Sequence, residues 1–420
     1  MRPYPPAPTN GRSGDPSEDA FDGLDEQALF SSKILIVDDD ESICQLIFAY
    51  LNASGYQNIG IAYDGEVGLE KIRTLVPDLV ILDLSMPVMG GEDVLKEVRA
   101  DPFFDDMPII VETAKDTQEA RNEVLRLGAT NIISKPIDPE VLVGRVHAHL
   151  EKKILLDNLK AYRIRVREEL DAARSMQLQL LPPEKEIEEI RRRFDVRLDS
   201  HFQPSSELGG DWWGAECLGP QMFSVFNVDF TGHGVGASIN TFRLQSVMSR
   251  VEAPDSDPAA YLEELNSQLV DLIPRGQFAT MLYAICDIEN DKIVYAACGA
   301  PRPIFGRSGS SELNVGDSSG LPLGISKSTK YVNHEFLFVP GDFMFLYSDA
   351  LIETPGKSMP PLEDVGLLDL VGRAASRDDG GAELEAVLNE FFHRSVSPIP
   401  DDLTAVWLQR NIQNEVSTIR

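Results

Sequence analysis

Between residue 33 and about residue 150, short apolar runs alternate with helix-like patterns. Residues 33–37, 59–62, 78–82, 108–111 and 131–133 read as five strands, with helices from near Glu41, over 65–75 and after each later strand. Strands that are apolar throughout and separated by helices predict a parallel sheet covered on both faces, a doubly wound α/β domain. From Leu155 the spacing changes to four-three: Leu155, Leu159, Tyr162, Val166, Glu169, Ala173, Met176 and Leu180 fall on one seam, with charges on the other faces. That is the heptad pattern of a two-helix coiled coil, weakened by Glu169 and Ala173 and stopped by Pro182 and Pro183. An ordinary amphipathic helix packed on its own domain is the other reading of so few heptads. Beyond a short charged helix at 184–193, residues 195–202, 222–228 and 280–286 alternate apolar with polar positions. Helices are expected near 236–251, 258–273 and 381–396. Strands in runs beside separate helical runs predict an α+β β-sandwich.

Composition narrows the partners. The chain has 420 residues, with 38 Lys plus Arg against 68 Asp plus Glu and a formal charge of −30. Such a surface repels phosphate backbones, so no nucleic-acid binding is expected. The rod differs: residues 151–193 hold 11 basic and 9 acidic side chains, so two copies can approach each other there. Cys44, Cys217, Cys286 and Cys298 lie far apart and read as reduced thiols of a cytoplasmic protein, not as a zinc site or disulfide framework. No apolar run approaches the ~20 residues of a membrane span. Residues 1–31, rich in Pro, Gly, Ser and Asp, are expected to be a disordered tail.

The polar residues at the strand ends carry the first candidate chemistry. Asp38 and Asp39 follow the first strand, Asp83 the third, Thr113 the fourth and Lys135 the fifth. In an open α/β sheet ligands bind outside the carboxyl ends of the strands. Carboxylates converging there repel unless a cation sits among them, and a hard ion such as Mg2+ suits oxygen ligands. Lys135 can neutralise phosphoryl oxygens and Thr113 can donate to them. A carboxylate in that setting is a competent nucleophile toward phosphorus. With its VDDD, LVILDLSMPVMGG, ETA and SKP motifs, this stretch resembles the receiver domain of bacterial two-component response regulators. The resemblance implies Asp83 as phosphoacceptor, Mg2+ held by Asp38, Asp39, Asp83 and the Ser85 carbonyl, and Thr113 and Lys135 as the phosphate-sensing pair. It also implies a cis bond before Pro136. Ile132 stands where many receivers carry an aromatic switch, which points output toward the sheet edge and the last helix.

The second set is acidic too. Asp211 lies in GGDWWG, Asp229 ends a strand ahead of FTGHG, Asp349 ends the run FMFLY, and Asp401 and Asp402 precede LTAVW. A carboxylate abutting a buried strand is costly unless paired, and few basic residues stand nearby. Two hard metal ions bridged by shared carboxylates resolve this and would activate water against a phosphoryl group. Glycines beside Asp211 and Asp229 would let backbone approach the ions. His233, alone in a glycine turn, reads as structural. With MQLQLLPP, GGDWWG, VDFTGHGVGAS, FATMLYA, GLPLGI, PGDFMFLYSDALIET and DDLTAV, the C-terminal half resembles the PPM metal-dependent serine/threonine phosphatases of the bacterial stress and sporulation branch (RsbU-like). The resemblance implies two Mn2+ or Mg2+ ions, with Asp229 bridging and Phe230 contributing its carbonyl. Asp211, Asp349 and Asp401 complete the set, and Asp402 is the less favoured of its pair. Ala300 stands where relatives often have histidine, at no cost in metal ligands.

The expected architecture is a tail at 1–31, a receiver at 32–150, a helical coiled-coil linker at 151–183, a PPM-type phosphatase at 184–412 and a C-terminal tail at 413–420. The expected function is a response regulator whose phosphorylation, by a histidine kinase or phosphotransfer protein, controls a phosphoserine/phosphothreonine protein phosphatase. By family analogy its substrate is an anti-sigma-factor antagonist. A parallel homodimer through residues 155–180 is expected. The alternative is an inactive phosphatase-fold adaptor that binds a partner under receiver control. A DNA-binding regulator is disfavoured by the charge and by the lack of a recognition-helix module.

Overall fold

The computed structural model describes residues 26–114, 117–232, 234–252, 256–357, 359–377 and 381–412. His233, the C-terminal tail and residues 1–25 of the expected N-terminal tail lie outside the described residues. The chain divides into two compact units, residues 1–166 and 167–420.

The first unit follows the apolar runs. α1 (Glu26–Phe30), β1 (Lys33–Val37), α2 (Glu41–Ala53), β2 (Asn58–Ala62), α3 (Gly65–Leu75), β3 (Leu79–Asp83), α4 (Gly91–Arg99), β4 (Ile109–Thr113), α5 (Gln118–Arg126), β5 (Asn131–Ser134) and α6 (Pro139–Leu178) succeed one another. The five strands form a parallel sheet in the order β2-β1-β3-β4-β5. Alternate residues of each strand feed two cores, one under α3 and α4 around Leu35, Val80 and Val111, the other under α2 and α6 around Ile36, Ile81 and Ile110. Helix starts are capped as their sequence suggests: Asp40 and Asp64 accept amide hydrogens from the first turns of α2 and α3. The tail expected over 1–31 is folded from Glu26. Leu29 is buried and Phe30 packs edge-on against Tyr56, so a five-residue helix closes one end of this core despite its polar approach.

α6 is a single 40-residue helix, with no break between the receiver's last helix and the rod. Within the first unit Lys153 pairs with Asp157 at 2.6 Å, and Lys160 with Asp106. Along the seam Leu155, Leu159, Tyr162 and Met176 are all about half exposed or more, whereas Val166 and Ala173 are less so and Leu180 packs against a core of the second unit. Among the described residues no helix is long and apolar enough to cross a membrane.

The second unit contains α7 (Glu184–Phe194), β6 (Val196–Gln203), β7 (Asp211–Cys217), β8 (Met222–Phe230), α8 (Val235–Met248), α9 (Pro258–Leu269), β9 (Ala279–Asp287), β10 (Lys292–Cys298), β11 (Ile304–Arg307), β12 (Leu313–Val315), β13 (His334–Leu337), β14 (Asp342–Tyr347), α10 (Ala350–Glu353), α11 (Glu363–Ala375), α12 (Glu383–Arg394) and β15 (Leu403–Arg410). Two antiparallel five-stranded sheets result, β13-β10-β9-β8-β7 and β12-β11-β14-β15-β6. Their facing side chains, among them Trp213, Phe223, Val225, Leu282, Met344 and Val406, make the central core. α8 and α9 cover the outer face of one sheet, and α11 and α12 that of the other. The period of two along each strand assigns alternate residues to the inner and outer layers.

Candidate functional sites

In the first unit, Asp38, Asp83, Glu112 and Lys135 share one face of the sheet at the carboxyl ends of four strands. Carboxylate oxygens of Asp38, Asp39 and Asp83 all lie within 4.8 Å of one another, close enough to share one cation. The Lys135 ammonium donates to Asp38 Oδ2 at 2.8 Å and to Asp83 Oδ1 at 2.7 Å. Burial alone would lower Lys135, but these two hydrogen bonds and charges outweigh it and hold the ammonium above its ordinary value. Burial raises Asp38, with Lys135 offsetting part of the rise. The Ser85 amide donates to Asp83 Oδ2 at 2.7 Å, Thr113 is buried at the end of β4, and the Lys135-Pro136 peptide is cis. Oxygen donors alone, this close and partly buried, fit a hard divalent ion.

Glu112 was given no role from sequence. It is fully buried opposite Asp83 in the β3–β4 register, 3.9 Å from the Lys135 ammonium, and neither carboxylate oxygen has a hydrogen-bond partner. Burial pushes its carboxyl up to about 8 against the pull of Lys135. The signal was a single acid in the apolar run of β4.

In the second unit the carboxylates collect at one rim of the sandwich. The inner-facing row of β7 runs from Ala215 and Trp213 to Asp211, and that of β8 from Phe223 and Val225 to Asp229. Asp211 and Asp229 stand directly opposite across the two strands. From the other sheet, Thr404 donates its hydroxyl to Asp211 Oδ2 at 2.7 Å. Asp349 follows β14 and Asp401 precedes β15, neighbouring strands of that same sheet. Asp211 is driven far above the usual carboxylate range by burial and then by the charge of Asp229, offset only by hydroxyls of Thr404 and Ser348. Burial, followed by the charges of Asp349 and Asp401, pushes Asp229 to about 8. Burial and the Asp401 charge bring Asp349 to about 6. The groups that offset these rises are hydroxyls, a backbone amide and a neighbouring carboxyl, not cationic side chains. Oxygen donors of this chemistry suit hard divalent ions, though among the described residues no three of these carboxylates, unlike Asp38, Asp39 and Asp83, have oxygens all within 4.8 Å of one another.

Asp402 plays a different part. It is buried, its Oδ1 accepts from the Ser205 amide at 2.7 Å and hydroxyl at 2.8 Å, and its Oδ2 accepts from the Gly210 amide at 2.5 Å. It ties the 205–210 loop to the rim. The Phe230 carbonyl comes within 2.8 Å of where a Cβ on Gly210 would stand, so only glycine fits there.

The carboxylates have a consequence for stability. Asp229 and Asp349 have folded-state pKa values above the ordinary 3.8, so their contribution to metal-free stability is fully present below pH ~4 and is lost as pH rises toward about 8. The melting temperature in chelator should fall across this window, Asp229→Asn should flatten the fall, and added divalent metal should stabilise more at pH 8 than at pH 5. An Asp229→Asn slope equal to wild type would contradict this.

A parallel sheet ending in an acid pocket and a double sandwich with a carboxylate rim are a receiver fold and a PP2C-type fold. Residues 34–147 match the response regulator receiver domain and residues 220–411 match Stage II sporulation protein E (SpoIIE), so the chain joins a receiver domain to a SpoIIE-like domain. Over 122 residues it is 40% identical to the alkaline phosphatase synthesis transcriptional regulatory protein PhoP of Bacillus subtilis, covering 29% of this chain and 50% of that one. Over 130 residues it is 35% identical to the response regulator PleD of Caulobacter vibrioides, covering 31% of this chain and 28% of that one. The chain therefore spans half or less of the length of these curated relatives. The SiaA-PP2C domain of Pseudomonas aeruginosa shares its fold at 18% identity and a TM-score of 0.51, over 59% of this chain and 98% of that one.

Proposed function

We propose that the chain is a cytoplasmic response regulator in which phosphorylation of Asp83 controls a metal-dependent protein serine/threonine phosphatase. The observation that carries this is the pairing of Asp211 with Asp229 at the rim, with Asp349 and Asp401 close enough to raise Asp229. Asp211, Asp229 and Asp349, buried or partly buried without cationic side chains to offset them, are a standing cost, one that bound metal ions remove.

In the receiver, an Asp83 oxygen attacks phosphorus of a histidine kinase or phosphotransfer protein, the bond to the donor nitrogen breaks, and an acyl phosphate forms. Lys135, already 2.7 Å from Asp83, stands where it can take the new phosphoryl charge, with Thr113 donating beside it. Asp38, Asp39, Asp83 and the Ser85 carbonyl would hold Mg2+. In the phosphatase, Asp211, Asp229, Asp349, Asp401 and the Phe230 carbonyl would hold two Mn2+ or Mg2+ ions, which supply Lewis acidity and acidify water. Net reaction is attack of water on a phosphoserine or phosphothreonine ester, with the serine or threonine oxygen leaving protonated. Thr404 orients Asp211, and Asp402 fixes the loop that carries it. The substrate is an anti-sigma-factor antagonist in a partner-switching pathway, a reading that rests on the family resemblance.

The domains run 32–150, 151–183 and 184–412, and two chains pair in parallel through residues 155–180. The exposed part of the seam supports this, because Leu155 and Leu159 are each about half exposed in one chain. A weak seam leaves paired and altered states only a few kcal/mol apart, a gap one modification can shift. Inserting four residues after Arg167 should break the phase and uncouple phosphatase rate from phosphodonor, while inserting seven should keep most of the control. Rates of both with and without phosphodonor, alongside masses by light scattering, test it. Equal control in both, or a monomeric wild type in both states, would reduce the rod to a tether.

A further inference from the structure

Residues 176–183 carry part of the resemblance, yet the chemistry above uses none of them. Within this stretch burial runs against expectation. Met176, on the seam, is 60% exposed, whereas its neighbour Gln177 is only 4% exposed. A buried amide is costly unless both ends are satisfied. Gln177 meets that condition through one residue: Nε2 donates to the Gly209 carbonyl at 2.6 Å, and Oε1 accepts from the Gly209 amide at 3.1 Å. One side chain in the last turn of α6 therefore saturates both backbone groups of a buried glycine.

That glycine lies two residues before Asp211. Its successor, Gly210, donates to Asp402 and accepts from the Phe230 amide at 3.3 Å. A Cβ on Gly209 would fall 2.7 Å from Asp402 Oδ2. On the far side of Asp211, the Trp212 indole donates to the Leu180 carbonyl at 2.9 Å. The strand start that presents Asp211 is thus gripped by the helix end on one side, and by Asp402 and the end of β8 on the other.

We propose that Gln177 is a positioning residue for the carboxylate rim: by holding the Gly209 peptide it sets where Asp211 stands against Asp229, so the rim's affinity for metal depends on the seating of the helix end. The inference rests on the reading of Asp211 and Asp229 as metal ligands. An amide suits the task because it offers a donor and an acceptor side by side. Methionine keeps the length but offers neither strong donor nor strong acceptor, and ionised glutamate lacks the donor and would face the Gly209 carbonyl.

The test is Mn2+ binding by calorimetry to the full chain, with Asp38→Asn and Asp83→Asn disabling the receiver's cation pocket. In that background Gln177→Met should weaken binding at the rim by on the order of tenfold, the loss expected when two buried backbone groups go unsatisfied. Gln177→Glu, which keeps one bond but sets a carboxylate oxygen against the Gly209 carbonyl, should weaken binding at least as much as Met. Phosphatase rate should recover at saturating Mn2+ in both variants, which a general folding lesion would not allow. Gln177→Met binding Mn2+ as tightly as the parent would overturn the proposal and leave Gln177 as a helix anchor. If the parent bound no Mn2+ that Asp229→Asn removes, the rim itself would not be a metal site, and the proposal would fall with that reading.

Discussion

Asp229→Asn should abolish phosphatase activity, by at least on the order of 10³-fold, while the chain stays folded. Asp229 is the hub of the rim. It faces Asp211 across β7 and β8, and Asp349 and Asp401 from the second sheet are the charges that most raise it. Asparagine preserves its shape but removes the charge that two ions would share. Folding should not suffer, because a half-buried carboxylate among carboxylates is a liability in metal-free protein. The measurement is phosphate release from a phosphoserine protein and from an aryl phosphate, each with Mn2+ and with chelator. Wild type should need the metal, and the variant should gain nothing from it. A metal-replete wild type that binds its phosphoprotein and releases no phosphate would favour the adaptor instead.

Asp83→Asn should take up no label from a small phosphodonor in Mg2+. Asp83 shares its pocket with Asp38 and Asp39 and is the carboxylate that Lys135 and the Ser85 amide both hold, one on each oxygen. Asp39 is exposed, and Asp38 follows β1, one strand farther from β4 and Thr113 than Asp83, which ends β3 beside β4. Of the three, Asp83 therefore combines burial with a place directly beside the end of β4. Uptake at the wild-type rate by Asp83→Asn would move the acceptor elsewhere.

The receiver was legible because its strands are buried on both faces and leave their polar residues at the ends. β1 and α3 coincide with their expected ranges, and the other strands differ by a residue or two. The sandwich was harder. Its carboxylates were readable one by one from strand ends and glycines, yet β7 was not foreseen as a strand. GGDWWG hides it: Gly214 makes room for the Phe226 ring, and two tryptophans in succession face opposite layers, Trp213 inward and Trp212 toward α8 and α9. The short edge strands β12 and β13, with their exposed positions, carried too little pattern. The hydroxyl of Thr404 on Asp211 joins residues far apart in sequence, and no local pattern encodes that. Gln177 was invisible for a related reason, since a glutamine on a charged rod looks solvated until its partner loop is known.

The central claim is that one end of the chain governs the chemistry of the other. Its most direct test is the rate of phosphate release from a phosphoserine protein by the metal-replete full chain, with and without phosphodonor, in wild type and in Asp83→Asn. The account predicts a rate that changes with phosphodonor in wild type and does not change in the variant. An identical rate under all four conditions, with Asp83 shown to be phosphorylated in wild type, would contradict it.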